Sequence, residues 1–469
     1  MEQEIDFETP THELLFDDLI PLPFKILFII QFGTFLWFLL VYLLYNFTNI
    51  NVLRLLDLSY NSHNYSQLDG ETTINNNGKP VNANHNLDAS SGEFKTNLPP
   101  DFKENHLLLN GIWNNLKAIT LINFLTWSLF KFVQYFYEQP IEHDRKKTIL
   151  TEMLTPLYYI LPISAFSYLF YRLFYKSRVS ALNHKGQIRI YTTMTRILVG
   201  GINSVSMRTN DILISDSLTS YAKVGNDFGL FFWNYYYSDE VSYNIQLEFV
   251  ILCIPTFIRI KQCWCEFKIS RKSQHLLNLL KYTTALGPLL INLLIKYHLT
   301  SAKNVDDDDL IQQALLKRVE SLNTWWYFFS FINSAYSFIW DVKMDWNLEL
   351  FDSIINPRKP FHMLRDSLAF KFTGIYIFII IFDFLFRFVW VLKLFIITDK
   401  HESQTNLHVF STFLFGYDVF SFGYTVLETI EIIRRWLWCF LKLESDWVKL
   451  DAVNYIDIEL ASSSNKRDI

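Results

Sequence analysis

Charged residues recur inside apolar stretches through the second half of the chain. An ionised side chain in a bilayer costs about 2.5 kcal/mol or more unless it faces a partner or a cavity. Yet Asp211 and Asp216 occupy the run Asp-Ile-Leu-Ile-Ser-Asp-Ser-Leu-Thr-Ser, and Arg259 and Lys261 the run Ile-Pro-Thr-Phe-Ile-Arg-Ile-Lys-Gln-Cys. Lys281 and Tyr282 close Asn-Leu-Leu-Lys-Tyr, while Asp341 and Asp345 fall in Tyr-Ser-Phe-Ile-Trp-Asp-Val-Lys-Met-Asp-Trp. Asp383 and Arg387 follow, then Glu431, Arg434 and Arg435. Helical spacing pairs several of them. Asp341 and Asp345 are four apart and share a face, as do Asp383 and Arg387, and Glu431 is placed to orient Arg434 or Arg435.

Five cations from four segments (Arg259, Lys281, Arg387, Arg434, Arg435) exceed what one structural ion pair needs. Converging, they make a basic pocket whose guanidinium forks suit a tetrahedral oxyanion. Asp216, Asp341, Asp345 and Glu431 then have two roles: holding the cations together when the site is empty, and accepting a hydrogen bond from the proton that phosphate retains near neutral pH. Sulfate lacks that proton, so inorganic phosphate is the expected ligand. Each residue alone has a plainer alternative. Arg434 or Arg435 can snorkel to the headgroups, Asp383 and Arg387 can neutralise each other, and Asp345 can cap its helix. Trp325, Trp326, Trp340, Trp346, Trp436 and Trp438 suit an interfacial belt.

The elements carrying these residues read as an all-α polytopic transmembrane bundle. Half of the 469 residues are hydrophobic and 17% are aromatic. Apolar blocks long enough to cross a bilayer give about nine spans, at 24–46, 113–136, 151–175, 211–236, 246–266, 274–298, 321–341, 366–398 and 407–440. Segment 190–210 is amphipathic and suits the membrane interface. Residues 1–23 form an acidic tail without the basic region of a cleaved signal, so the first span reads as a signal anchor. Residues 24–175 make a peripheral set of helices with an Asn-rich flexible insert at 59–105. Residues 176–450 form the core, and 451–469 a tail.

Lys and Arg in short loops set the orientation. Lys176, Arg178, Lys185, Arg189, Lys268, Arg271, Lys272, Arg358 and Lys359 mark cytosolic loops, whereas 238–243 and 305–309 are acidic. The N-terminus then lies in the lumen and the C-terminus in the cytosol, with Arg145, Lys146 and Lys147 as the one disagreeing loop.

Other chemistries lack a foundation. Cys253, Cys263, Cys265 and Cys439 form no CxxC pair and read as small buried thiols. His275, His298, His362 and His408 have no ligand spacing, and no P-loop, GxSxG or HExxH occurs. An enzyme, a metal site and a cofactor are not expected, and the net charge of -5 gives no reason to expect nucleic acid. Membrane lipids are the certain surroundings.

The strings Ser-Asp-Ser-Leu-Thr-Ser, Pro255 through Cys263, Asn278 with Lys281-Tyr282, Asn333 through Trp346, Arg387 to Trp390, and Arg434 through Glu444 resemble the EXS-domain family. The resemblance covers roughly 150–450, and that family includes phosphate exporters of animals and plants. It implies a phosphate pathway through Asp216, Arg259, Lys281, Tyr282, Asp341, Asp345, Arg387, Arg434 and Arg435. It also implies an EXS-type core of six C-terminal helices. Those exporters begin with a soluble SPX sensor domain, for which there is no room before residue 24. Short members of this shape resemble the fungal ER-retention-defective proteins. That implies a Golgi membrane location, return to the cytosol of phosphate released by glycosylation, and support of glycosyltransferase and ER-protein retention. A rival reading is a membrane adaptor without transport activity, whose tail recruits Golgi sorting or coat proteins. A homodimer is carried as a further partner.

Overall fold

The computed structural model describes residues 19–48, 50–56, 100–137, 145–174, 181–199, 208–237, 242–303, 309–358, 360–398, 406–415 and 421–465. Of the expected insert at 59–105, residues 59–99 lie outside the described residues, as does most of the acidic tail, while 100–105 belong to a helix rather than to a flexible segment. Among those described there are helices and no strand.

The principal helices are α1 (Leu22–Phe47), α2 (Pro100–Tyr137), α3 (Arg145–Phe174), α4 (Ala181–Val199), α5 (Arg208–Ser220) and α6 (Ala222–Tyr237). They continue with α7 (Ile245–Ser270), α8 (Ser273–Lys303), α9 (Asp309–Trp340), α10 (Gly374–Arg387), α11 (Asn406–Phe415) and α12 (Phe422–Asn465). A π-helical turn, Asp341–Asp345, extends α9. Such turns recur at functional sites because they shift the register of side chains on a helix.

Local chemistry sets several of these ends. Asn244 caps α7 by accepting from the backbone N–H groups of Gln246 (2.8 Å) and Leu247 (3.2 Å). Arg271 ends the helix in the left-handed region, at φ 56°, and leaves a two-residue link to α8. So short a link makes α7 and α8 antiparallel neighbours. Next in the bundle, α8 packs along α9. A Cβ on Gly287 would lie 2.9 Å from the Phe329 ring, so this glycine allows the two helices their close approach.

α1 threads both main apolar clusters. Its first half packs with α2, α3 and α6 around Phe24, Leu27, Phe130, Phe166 and Leu169. Its second half packs with α10, α12 and the π turn around Leu40, Leu44, Trp346, Tyr376 and Trp438. The polar site lies among α5, α7, α8, the π turn, α10 and α12.

The expected spans are resolved differently in three places. By length and apolarity together, three helical stretches qualify among the described residues: Leu22–Phe47, Leu108–Tyr135 and Ser273–Ala302. A fourth is the pair Gly374–Arg387 and Val389–Phe395, bent by 43°. α7, α9 and α12 are long enough, with 26, 32 and 44 residues, but buried charges in α7 and α12, and exposed charges and polar side chains in α9, lower their apolarity. The expected span 211–236 is broken at Tyr221 into α5 and α6. The expected span 407–440 is divided between α11 and α12. The molecule is a helical bundle built for a membrane.

Candidate functional site

The ion pairs begin on α5. Asp216 is buried there, and its Oδ1 lies 2.7 Å from Arg259 Nε of α7 and accepts from the Tyr282 hydroxyl of α8 at 2.6 Å. Arg259 spreads its other nitrogens to Tyr282 Oη (2.9 Å), Ser215 Oγ (2.9 Å) and Gln262 Oε1 (2.5 Å). Its guanidinium also stands over the Tyr282 ring, 4.7 Å from the centroid. On the opposite side of Asp216 comes Arg435 of α12, Nη1 being 3.7 Å from Oδ2. Arg435 Nε donates to Ser220 Oγ at 3.1 Å, and that hydroxyl donates to Glu431 Oε1 at 2.9 Å.

From Glu431 the chain of contacts continues. Arg434 donates to both Glu431 oxygens, at 2.9 and 2.6 Å, and to Asp383 Oδ1 of α10 at 2.8 Å. Asp383 also pairs with Arg387 one turn later, at 3.1 Å. Arg387 Nη2 reaches across to Asp341 of the π turn, which accepts from Lys281 Nζ at 2.8 Å. Lys281 also lies 3.7 Å from Asp345. Because Lys281 and Tyr282 are neighbours in sequence, and Tyr282 bonds Asp216, the circuit closes on itself.

Every residue expected in the phosphate pathway is in this circuit. Five cations stand against five carboxylates: Asp216, Asp341, Asp345, Asp383 and Glu431. The sum is neutral. Apart from Asp383–Arg387 and Glu431–Arg434, which lie within one helix, the ion pairs join separate segments, and breaking one would leave an uncompensated buried charge.

The plainer alternatives for single residues fare differently. Arg434 and Arg435 are buried and point inward rather than snorkelling to headgroups. Asp383 and Arg387 do pair within their helix, yet each also bonds another helix. Asp345 ends the π turn and still reaches Lys281. Asp211 belongs elsewhere, bonded to Arg196 of α4, and Lys261 donates to the Leu198 carbonyl. Of the six Trp residues expected in an interfacial belt, Trp340, Trp346 and Trp438 are buried instead. Arg435 stacks on Trp438 at 4.9 Å, and the Lys281 ammonium lies 5.8 Å from the Trp340 ring centroid. These indoles line the site because α12 and the π turn face inward there.

Asp383 was legible as charged but not as a bridge between Arg387 and Arg434. Ser215, Thr219, Ser220 and Gln262 were missed as ligands of the two arginines, although the serine-rich string around Asp216 carries three of them. Arg435 Nη1 is buried and, at 3.7 Å from Asp216 Oδ2, makes no hydrogen bond among the described residues. An anion entering beside Asp216 would supply what it lacks.

Known proteins bear on this arrangement. Protein ERD1 of Kluyveromyces lactis is 28% identical over 318 residues, covering 62% of this chain and 71% of its own. Protein ERD1 of Saccharomyces cerevisiae is 27% identical over 369 residues, 77% of this chain and 85% of its own. Solute carrier family 53 member 1 of Mus musculus is 26% identical over 205 residues, 44% of this chain but only 25% of its own. The match to that longer animal protein therefore spans a quarter of its length. The model of the EXS family matches residues 20–448, which take in every element of the circuit, and the chain belongs to that family.

Proposed function

We propose that this multi-pass membrane protein carries inorganic phosphate through the circuit of buried charges. In this reading it returns phosphate released by glycosylation from the Golgi lumen to the cytosol, and so supports retention of glycosyltransferases and ER proteins. The observation that carries the proposal is the convergence of Arg259, Lys281, Arg387, Arg434 and Arg435 from four helices, with Arg435 Nη1 making no hydrogen bond among the described residues. A fixed scaffold would gain little from so many cations, since buried ion pairs are at best weakly stabilising. A transporter needs them, because an anion leaving water must be met by donors at each step.

The carboxylates set the terms of entry. In the empty site each cation is already neutralised, so phosphate binds by displacing a carboxylate rather than by filling a vacant basic cavity. That competition keeps affinity moderate, which conduction requires if the anion is to leave again. Tyr282, between Asp216 and Arg259, is placed to hand the guanidinium from one partner to the other. Support for phosphate as substrate comes from the family and from a relative named as a solute carrier. The Golgi location rests on the similarity to the two ERD1 proteins.

Phosphate flux through the purified chain in liposomes, with sulfate as competitor, tests the assignment. Arg434→Ala is expected to abolish flux while the protein stays abundant and correctly placed in cells. Undiminished flux in that variant would remove the transport reading, and loss of retention on truncation after Asp451 alone would favour the adaptor.

A further inference from the structure

A second group of buried charges lies off the circuit. Lys25 of α1 sits between two carboxylates, with Nζ 2.5 Å from Asp227 Oδ2 of α6 and 3.0 Å from Glu428 Oε2 of α12. All three are buried, at 3%, 0% and 1% exposure. Asp227 Oδ2 and Glu428 Oε2 face the ammonium, whereas Asp227 Oδ1 and Glu428 Oε1 are buried with no donor among the described residues, and the two carboxyl groups lie within reach of each other. Around them stand Lys223 of α6, Tyr424 and Glu431 of α12, Tyr243 before α7 and Glu248 of α7. The Lys25 and Lys223 ammonium groups lie 4.7 and 5.2 Å from the Tyr424 ring centroid. Glu248 is occupied by Lys296, at 2.6 and 2.7 Å.

One ammonium makes the direct contacts to both carboxylates, while Lys223 reaches them only at longer range, so at the centre of the group two carboxylates share a single contacting cation. Like charges so close, and so deep, are relieved by taking up a cation. The ammonium already fills the space between them, so a metal ion would have to evict it, whereas a proton needs only one orphaned oxygen. The group is also connected to the circuit. Glu428 precedes Glu431 by three residues on α12, and Asp227 follows Ser220 by seven on the α5–α6 arm.

We propose that Asp227 and Glu428 form a proton-binding station that moves a proton together with the phosphate anion. This rests on the transport reading above. The circuit is neutral when empty, so an entering phosphate brings uncompensated charge into the bilayer, and a proton entering from the same side offsets it. In that step an O–H bond forms on one carboxyl oxygen, with the proton delivered from water on the entry side. The bond breaks to water on the exit side, and no bond to phosphorus changes.

The full chain in liposomes, with radiolabelled phosphate and an internal pH dye, provides the test. Wild type is expected to accumulate phosphate when the outside is made acid, and to acidify the interior as it does so. Glu428→Gln and Asp227→Asn should each retain phosphate–phosphate exchange at equal pH. Their gradient-driven uptake should fall at least about fivefold, the lower end of ordinary coupling between two sites. Should either variant fold poorly, Lys25→Met with Glu428→Gln removes one charge of each sign and should show the same selective loss. Exchange in wild type without any response to the gradient would overturn the station and leave phosphate transport standing. Gradient-driven uptake persisting in the variants would overturn it equally. Absence of all flux in wild type would remove both proposals.

Discussion

A single carboxylate shows how the circuit balances stability against ligand binding. Asp341 is completely buried and holds both Lys281 and Arg387. Replacing it with Asn leaves two cations short of one anion. Breaking a buried pair costs about 3–5 kcal/mol, so the empty Asp341→Asn protein should melt well below wild type. Phosphate can repair that deficit, because it supplies the missing charge to the same cations. The variant's melting temperature should therefore rise more steeply with added phosphate than the wild type's. Equal phosphate-induced shifts in a thermal titration would show that the anion does not meet Lys281 and Arg387. Tyr282→Phe makes a milder change, removing one donor to Asp216 and one acceptor for Arg259. About 1–2 kcal/mol of stability should be lost in denaturation, with flux reduced rather than abolished. At this scale the sequence was informative about type and silent about partners. Charges in apolar runs announce that something must meet them, and local spacing reveals Glu431 with Arg434. Nothing local reveals that Asp383 bonds Arg434, or that Lys25 meets Asp227 and Glu428. Lys25 stands near the start of a strongly apolar span, where hydropathy averages a single charge away.

The helices hold these groups in register through a latch beyond the site. Glu444, on α12 and fully buried, accepts from Arg365, from the backbone N–H of Ala369 at 2.8 Å and from the Tyr376 hydroxyl at 2.7 Å. Arg365 donates in turn to the carbonyls of Trp346 (2.5 Å) and Ser367 (2.8 Å). The segment between the π turn and α10 is thereby fastened to α12, which joins three site-bearing elements. Glu444→Gln should lower unfolding stability by about 3–5 kcal/mol, the cost of leaving a buried guanidinium without its anion. Flux should decline with it, and unchanged thermal stability would mean that the latch carries no load. Apolar runs and their lengths made α1, α2 and α8 readable in advance. The break at Tyr221 was not, because the sequence through Ser220-Tyr-Ala-Lys contains no proline or glycine to mark it. The division of 407–440 was hidden for a related reason: the residues on both sides are apolar, so a hydropathy window runs across the join. Close approach betrays it in three dimensions, since a Cβ on Gly423 would fall 1.8 Å from the Phe413 carbonyl oxygen.

The path of the whole chain through the membrane turns on that broken arm. α5 and α6 have 13 and 16 residues, each too short to cross alone, where about 20 are needed. Joined, they cross once; folded back, they do not cross at all. Between Asn64 and the acidic stretch at 305–309 lie α2, α3, the α5–α6 arm, α7 and α8 as expected crossing elements, with α4 expected at the interface. Five crossings put the two loops on opposite faces, and four put them on the same face. The charge bias favours the first, because Lys176, Arg178, Lys185 and Arg189 precede the α5–α6 arm while the acidic stretch 238–243 follows it. Glycosylation reads the answer directly. Asn64-Tyr65-Ser66 is a natural sequon, and Asp306→Thr makes a second at Asn304. In cells, a glycan removable by endoglycosidase is expected at Asn304 in the variant and none at Asn64. Such a result places the N-terminus in the lumen and makes the α5–α6 arm a true crossing, which carries Asp216 to mid-membrane depth beside Arg259 and Arg435. Modification at both sites, or at Asn64 alone, would require a different path and a different entry face for the anion.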